Sequence, residues 1–164
     1  MTALHGMKRL LYEYSAAHRG HLIIPFMLGT IGEETVYSYK LLSELGHRGN
    51  FHKAENPWGL CVSVANQEEP YSPSSIIDVA KEFLDESSDI KHDCGYFNRR
   101  YTYCNHLLII IQAADRWFYD HYPPEDLNNI AAPKTFNTEH ECLTWIQQGL
   151  NRNYPTDAIQ TASD

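Results

Sequence analysis

YTYCNHLLIIIQAADRWFYDHY, residues 101–122, decides how the chain is read. Leu107 to Ile111 is a run of five aliphatic residues, three of them β-branched, which favours extended backbone and is apolar on both faces, as an interior strand is. Arg116 to Tyr122 alternates more loosely, with Arg116, Phe118, Asp120 and Tyr122 on one face and Trp117, Tyr119 and His121 on the other. This second strand therefore lies nearer a sheet edge. Gln112-Ala113-Ala114-Asp115 contains no Gly or Asn, so a two-residue turn with positive φ at both positions is disfavoured and a four-residue loop is expected. Such a loop pairs Ile111 with Arg116, Ile109 with Phe118 and Leu108 with Tyr119, and it sets His106 opposite His121. Pro123-Pro124 removes two backbone donors and ends the strand.

Upstream of this hairpin, Leu4, Met7, Leu11 and Tyr14 fall at helical spacing, which predicts an amphipathic helix over 3–17, ended near Gly20. Leu22 to Leu28 is a short strand-like run in which Pro25 argues for an edge or a bend. Gly29-Thr30-Ile31-Gly32 is expected to be a loop, with Glu33-Glu34 at a helix start. Tyr37, Leu41 and Leu45 suit a helix and Tyr37, Tyr39 and Leu41 suit a strand; Gly46 followed by His47-Arg48 favours the helix over 35–45. Short strands are expected at 51–54 and 60–65. Ser72-Pro73 opens a helix whose apolar stripe is Ile76, Ile77, Val79, Ala80, Phe83 and Leu84.

Downstream, 124–134 is a connection with a helical turn expected over 125–129. Thr138-Glu139-His140-Glu141 has the capping-box pattern, and Leu143, Ile146 and Leu150 give the next helix an apolar side with Trp145 adjacent. Residues 154–164 lack apolar periodicity and are expected to be a disordered tail. The order is helix, strand, helix, one or two strands, helix, hairpin, helix. The expected architecture is α+β: one globular domain over 1–153, with a single small sheet built on the central antiparallel hairpin (107–122) and helices on one or both faces.

A chain of 164 residues is long enough for one domain with a real core. A net charge of -8, with 21 acids against 13 bases, argues against a general nucleic-acid binder, whose phosphate affinity requires clustered Lys and Arg. No apolar run reaches the length of a signal core or a membrane span, so a cytoplasmic protein is expected. The four cysteines form no CxxC pair and read as reduced, mostly buried thiols.

No motif specifies a chemistry. Gly29-Thr30-Ile31-Gly32 superficially resembles a phosphate-binding turn but lacks the Lys-Ser/Thr ending of a P-loop. Cys104 and His106, two apart on a strand, would point the same way and hold one zinc together with His121 and Cys94; the ordinary reading is local hydrogen bonding. His140 and Cys142 diverge on a helix and cannot share a metal. Eleven tyrosines are many for this length, and tyrosine offers apolar area with little entropy to lose. Tyr101, Tyr103, Trp117, Tyr119 and His121 are the candidate binding residues. The favoured function is a non-catalytic module that binds a protein or small molecule, with no cofactor and with a homo-oligomer among its assemblies. The alternative is a small metal- or histidine-dependent enzyme at Cys104, His106 and His121.

Overall fold

A computed structural model of the chain describes residues 9–43, 53–55, 62–65, 74–87 and 95–153. The fold is α+β, and every strand pairing is antiparallel. The strands make two sheets, of five strands and three, where a single sheet was expected. The chain divides into two compact units, one running through Phe97 with Pro124–Leu127 added, the other holding Asn98–Pro123 and the residues from Asn128 onward.

The first unit contains β1 (Ala16–His18), β2 (His21–Ile31), β3 (Glu34–Ser43), β4 (Lys53–Glu55), β5 (Val62–Ala65) and α1 (Ser74–Ser87). Both β4 and β5 pair with β3, at Lys40–Leu42 and Glu34–Tyr37 respectively. The expected helix over 35–45 is thus overturned within the described residues: 34–43 is a strand that pairs with β2, β4 and β5. Thr35, Val36, Tyr37 and Tyr39 are β-formers, and Tyr37, Tyr39 and Leu41 lie on one face at period two. That misreading also explains the expected single sheet, because β3 recruits β2, β4 and β5 as partners of its own.

The expected N-terminal helix likewise fails over its described part. Tyr12–Tyr14 is a single 3-10 turn, and Ala16–His18 is a strand. Leu10 and Tyr12, two apart, are buried, whereas Tyr14 of the supposed stripe is exposed. The stretch 22–28 lies within the longer β2, and Pro25 sits inside it, paired with Tyr39 of β3. Proline is tolerated because its carbonyl, on the side where its N–H would have been, accepts from Leu11 N–H, beyond the end of the β1 pairing at Ile23. Gly29 to Ile31 continue the strand, and Gly32-Glu33 is a two-residue turn leading into β3. No helix follows, so the phosphate-turn reading and the acidic helix start both fall. Gly32 has φ 61° with nothing within 4 Å of a built Cβ, so backbone conformation alone favours glycine there.

α1 follows expectation. Ile76, Ile77, Ala80 and Leu84 are buried against Ile23, Tyr37, Tyr39 and Leu41, with Val79 and Phe83 partly buried beside them. The Tyr39 hydroxyl in this cluster is buried and has no hydrogen-bond partner among the described residues, and burial raises its pKa. An unmade buried hydrogen bond costs about 1–3 kcal/mol. Tyr39→Phe is therefore expected to raise the urea midpoint, by about 1 kcal/mol of stability; a lowered midpoint would mean that the hydroxyl is satisfied.

The second unit contains β6 (Arg100–Tyr103), β7 (His106–Ala113), β8 (Arg116–Tyr122) and α2 (Glu139–Asn153), in the sheet order β6-β7-β8. The central hairpin is present, with β7 interior and β8 outside it. Leu107 to Ile110 are at most 4% exposed, on both faces of the sheet. The connection differs from expectation: Ala113 pairs with Arg116, leaving a two-residue turn in which Ala114 takes φ 56°. Ala114 bears the strain that Gly or Asn would have avoided. The register moves by two residues, so each side chain keeps its expected face. The β6–β7 turn, Cys104-Asn105, has φ 51° and 67°, the positive pair of a type I′ turn.

α2 begins with the Thr138 half of the predicted capping box, and the return bond falls one residue earlier than the N-cap. Thr138 Oγ1 accepts from the Glu141 N–H at 3.1 Å, while the Glu141 carboxylate reaches back to the Asn137 N–H at 3.2 Å. Its buried stripe is Cys142, Ile146 and Leu150, with Leu143 only partly buried, and it packs on Leu108, Ile110 and Tyr119. Residues 125–129 take no helical turn. The expected tail, the 56–57 turn and the His92–Cys94 pair lie outside the described residues.

Candidate binding face

Register decides where the candidate residues meet. Tyr101 pairs with Leu108 and Tyr103 with His106; on the other side of β7, Leu108 pairs with His121, Ile110 with Tyr119 and Gln112 with Trp117. Directly opposed residues share a face, so Tyr101, Tyr103, Trp117, Tyr119 and His121 all lie on one face of the three-stranded sheet. It is the face on which α2 packs.

That cover changes what these side chains do. The Tyr101 hydroxyl donates to Glu139 Oε2 at 2.9 Å, and the Tyr103 hydroxyl to Asn151 Oδ1 at 2.7 Å, so two tyrosines of β6 fasten both ends of α2. The bond to Glu139 raises the Tyr101 pKa. Tyr119 is buried and its hydroxyl accepts the Ala132 N–H at 3.1 Å. Trp117 is half-buried under the Arg99 guanidinium, 4.8 Å from its ring centre.

His121 Nε2 lies 2.9 Å from His106 Nδ1, with both residues buried. The contact is diagonal, since Leu108 rather than His106 stands opposite His121. One ring must donate and the other accept, so the pair has no room for two imidazolium ions. Burial, then the neighbouring His106, lowers the His121 pKa to about 4. Cys104 does not join them through strand alternation, because it occupies the tight turn, half-buried. Among the described residues no three or more His, Cys, Asp or Glu side chains are grouped to hold a metal ion. Cys142 is buried in the α2 core; burial, then Glu139, pushes its thiol up to about 11.

Three features were missed from sequence. Asn129 brackets the end of β8: its Nδ2 donates to Asp120 Oδ1 at 2.8 Å, and its Oδ1 accepts the N–H groups of His121 and Ala131. The connection then runs along β8, where Trp117 and Phe136 exchange backbone hydrogen bonds and Arg116 donates to Thr135 and Asn137. It delivers Phe136 to Trp145, ring centres 5.8 Å apart, with Lys134 Nζ over both rings. An open groove of about 310 Å³ lies here, lined by Phe136, His140, Glu141, Thr144, Trp145 and Gln148. Trp145 is 36% exposed beside the buried Ile146. A tryptophan flanking an apolar stripe was the one sequence signal available.

The chain matches no known protein family, no curated protein and no solved structure. Among the described residues no helix is long and apolar enough to cross a membrane.

Proposed function

We propose that the chain is a non-catalytic cytosolic binding module whose partner is a protein, docked on the Trp145 groove of α2. The observation that carries this reading is the half-open Trp145–Phe136 pair with Lys134 laid across it. Large aromatic side chains flanked by one cation are what interface centres favour. An open groove near the low end of ligand-pocket volumes, about 300 Å³, suits an inserted partner side chain better than a small molecule that must lose most of its surface to water. Tyr101, Tyr103, Trp117 and Tyr119, singled out from sequence, support the groove from below, holding α2 in place. The acidic balance of the whole chain favours encounter with a basic partner.

The test is retention of a partner by the immobilised full chain, compared with Trp145→Ala and with Gln147→Ala on the exposed side of α2. A species held by the wild type and Gln147→Ala, but lost with Trp145→Ala while the circular dichroism is unchanged, is the expected outcome. A second copy of the chain counts as a protein partner, and sedimentation reads it. Equal retention by both variants removes the proposal.

The His106–His121 contact keeps the histidine-dependent enzyme as a second reading, since one imidazole orienting another makes a general base. It predicts a turnover lost with His106→Gln and untouched by Trp145→Ala.

A further inference from the structure

The β1–β2 hairpin carries histidines on both sides of its turn. His18 and His21 are directly paired across Arg19-Gly20, whose φ values of 48° and 73° are those of a type I′ turn. Directly opposed residues share a face with Cβ atoms about 4.5–5.5 Å apart. Each imidazole is also held through one nitrogen by a group that can only accept a hydrogen bond from it. His18 Nε2 lies 2.7 Å from Asp85 Oδ1 of α1, and His21 Nδ1 lies 2.9 Å from the Arg19 carbonyl. A carboxylate and a carbonyl accept, so the protons sit on His18 Nε2 and His21 Nδ1. The lone pairs are then on His18 Nδ1 and His21 Nε2.

A ring nitrogen donating to a carboxylate or backbone carbonyl, with the other nitrogen left basic, is how proteins prepare histidine to bind a metal. We infer that His18 and His21 form a two-imidazole site for a late divalent transition-metal ion, copper(II) foremost, with water completing the coordination. Copper heads the affinity order for nitrogen ligands, and its planar preference suits two protein nitrogens with open positions. Two ligands do not make a closed structural zinc site, which takes four. Arg19 Nε, 2.7 Å from the same Asp85 oxygen, has its positive charge offset by that carboxylate. Asp85 thereby positions His18 without touching the metal.

Titration of the full chain with copper(II) chloride, followed by paramagnetic resonance and by amide spectra, tests the site against the chain's nine histidines. The expected result is a first equivalent with two nitrogen couplings, which broadens the Arg19 and Gly20 amides before others. His18→Gln and His21→Gln should each leave one coupling at that site. Asp85→Asn, which keeps both ligands, should weaken it about 10- to 100-fold. First-equivalent binding that broadens other amides, or that persists unchanged in either glutamine variant, overturns the inference. So does an affinity indifferent to Asp85→Asn. Trp145→Ala should leave copper binding intact, separating this site from the α2 groove.

Discussion

Acidification from pH 6.5 to pH 4 is expected to cost the folded chain about 3 kcal/mol through His121 alone. The folded pKa, about 4, lies below the ordinary value of 6.5, so the folded state holds the neutral ring. As pH falls below 6.5 the unfolded chain takes up this proton first, and stability drops by up to about 1.4 kcal/mol per pH unit. The loss ends near pH 4, where the folded ring also protonates; above 6.5 the contribution is complete and constant. Urea unfolding at a series of pH values measures it. Replacing both rings, His106→Leu with His121→Leu, removes this slope, since both nitrogens of the contact go together. His106→Leu alone costs about 1–3 kcal/mol by stranding its partner. A double variant that keeps the wild-type slope would assign the pH dependence elsewhere.

Leu108→Ala is expected to destabilise the chain by about 2–5 kcal/mol. Leu108 is 1% exposed at the middle of β7, beneath Ile146 and Leu150 of α2, where little can move to fill the space it leaves. Leu143→Ala, on the partly buried flank of the same helix, should cost clearly less. Urea midpoints rank the two, and amide exchange in α2 should accelerate far more for Leu108→Ala. The reverse order would place the helix stripe on Leu143, where sequence spacing put it, rather than on Cys142.

The β7–β8 hairpin was legible because five successive aliphatics admit few alternatives to a covered strand. Its turn was not, since Ala114 adopts a conformation that its side chain disfavours and no local residue announces. The error of register was even, so the faces survived it and His106 still met His121. β3 was misread because Tyr37 and Leu41 satisfy both periods, and Thr35, Val36 and Tyr39 were given less weight than Gly46. Pro25 was read as marking an edge or a bend, and it sits on the side of β2 where the β1 pairing has already ended at Ile23. Trp117, Tyr119 and His121 were expected on one face, and the β6–β7 register, which no residue announced, adds Tyr101 and Tyr103 to it. That α2 would cover them, and that Phe136 and Lys134 would rebuild an aromatic surface outside it, depends on contacts between a connection without periodicity and a distant helix.

The two-residue turns that join β6 to β7 and β7 to β8 have a consequence during synthesis. Hairpins of this kind close in about 1–10 μs, whereas a ribosome working at about 5–20 residues per second needs seconds to reach Asn153 from Tyr122. The nascent three-stranded sheet can therefore stand complete while its helix is still being translated, with Trp117 and Tyr119 bare to solvent. For those seconds the strongest demand for a chaperone falls on the surface that the finished molecule hides under α2.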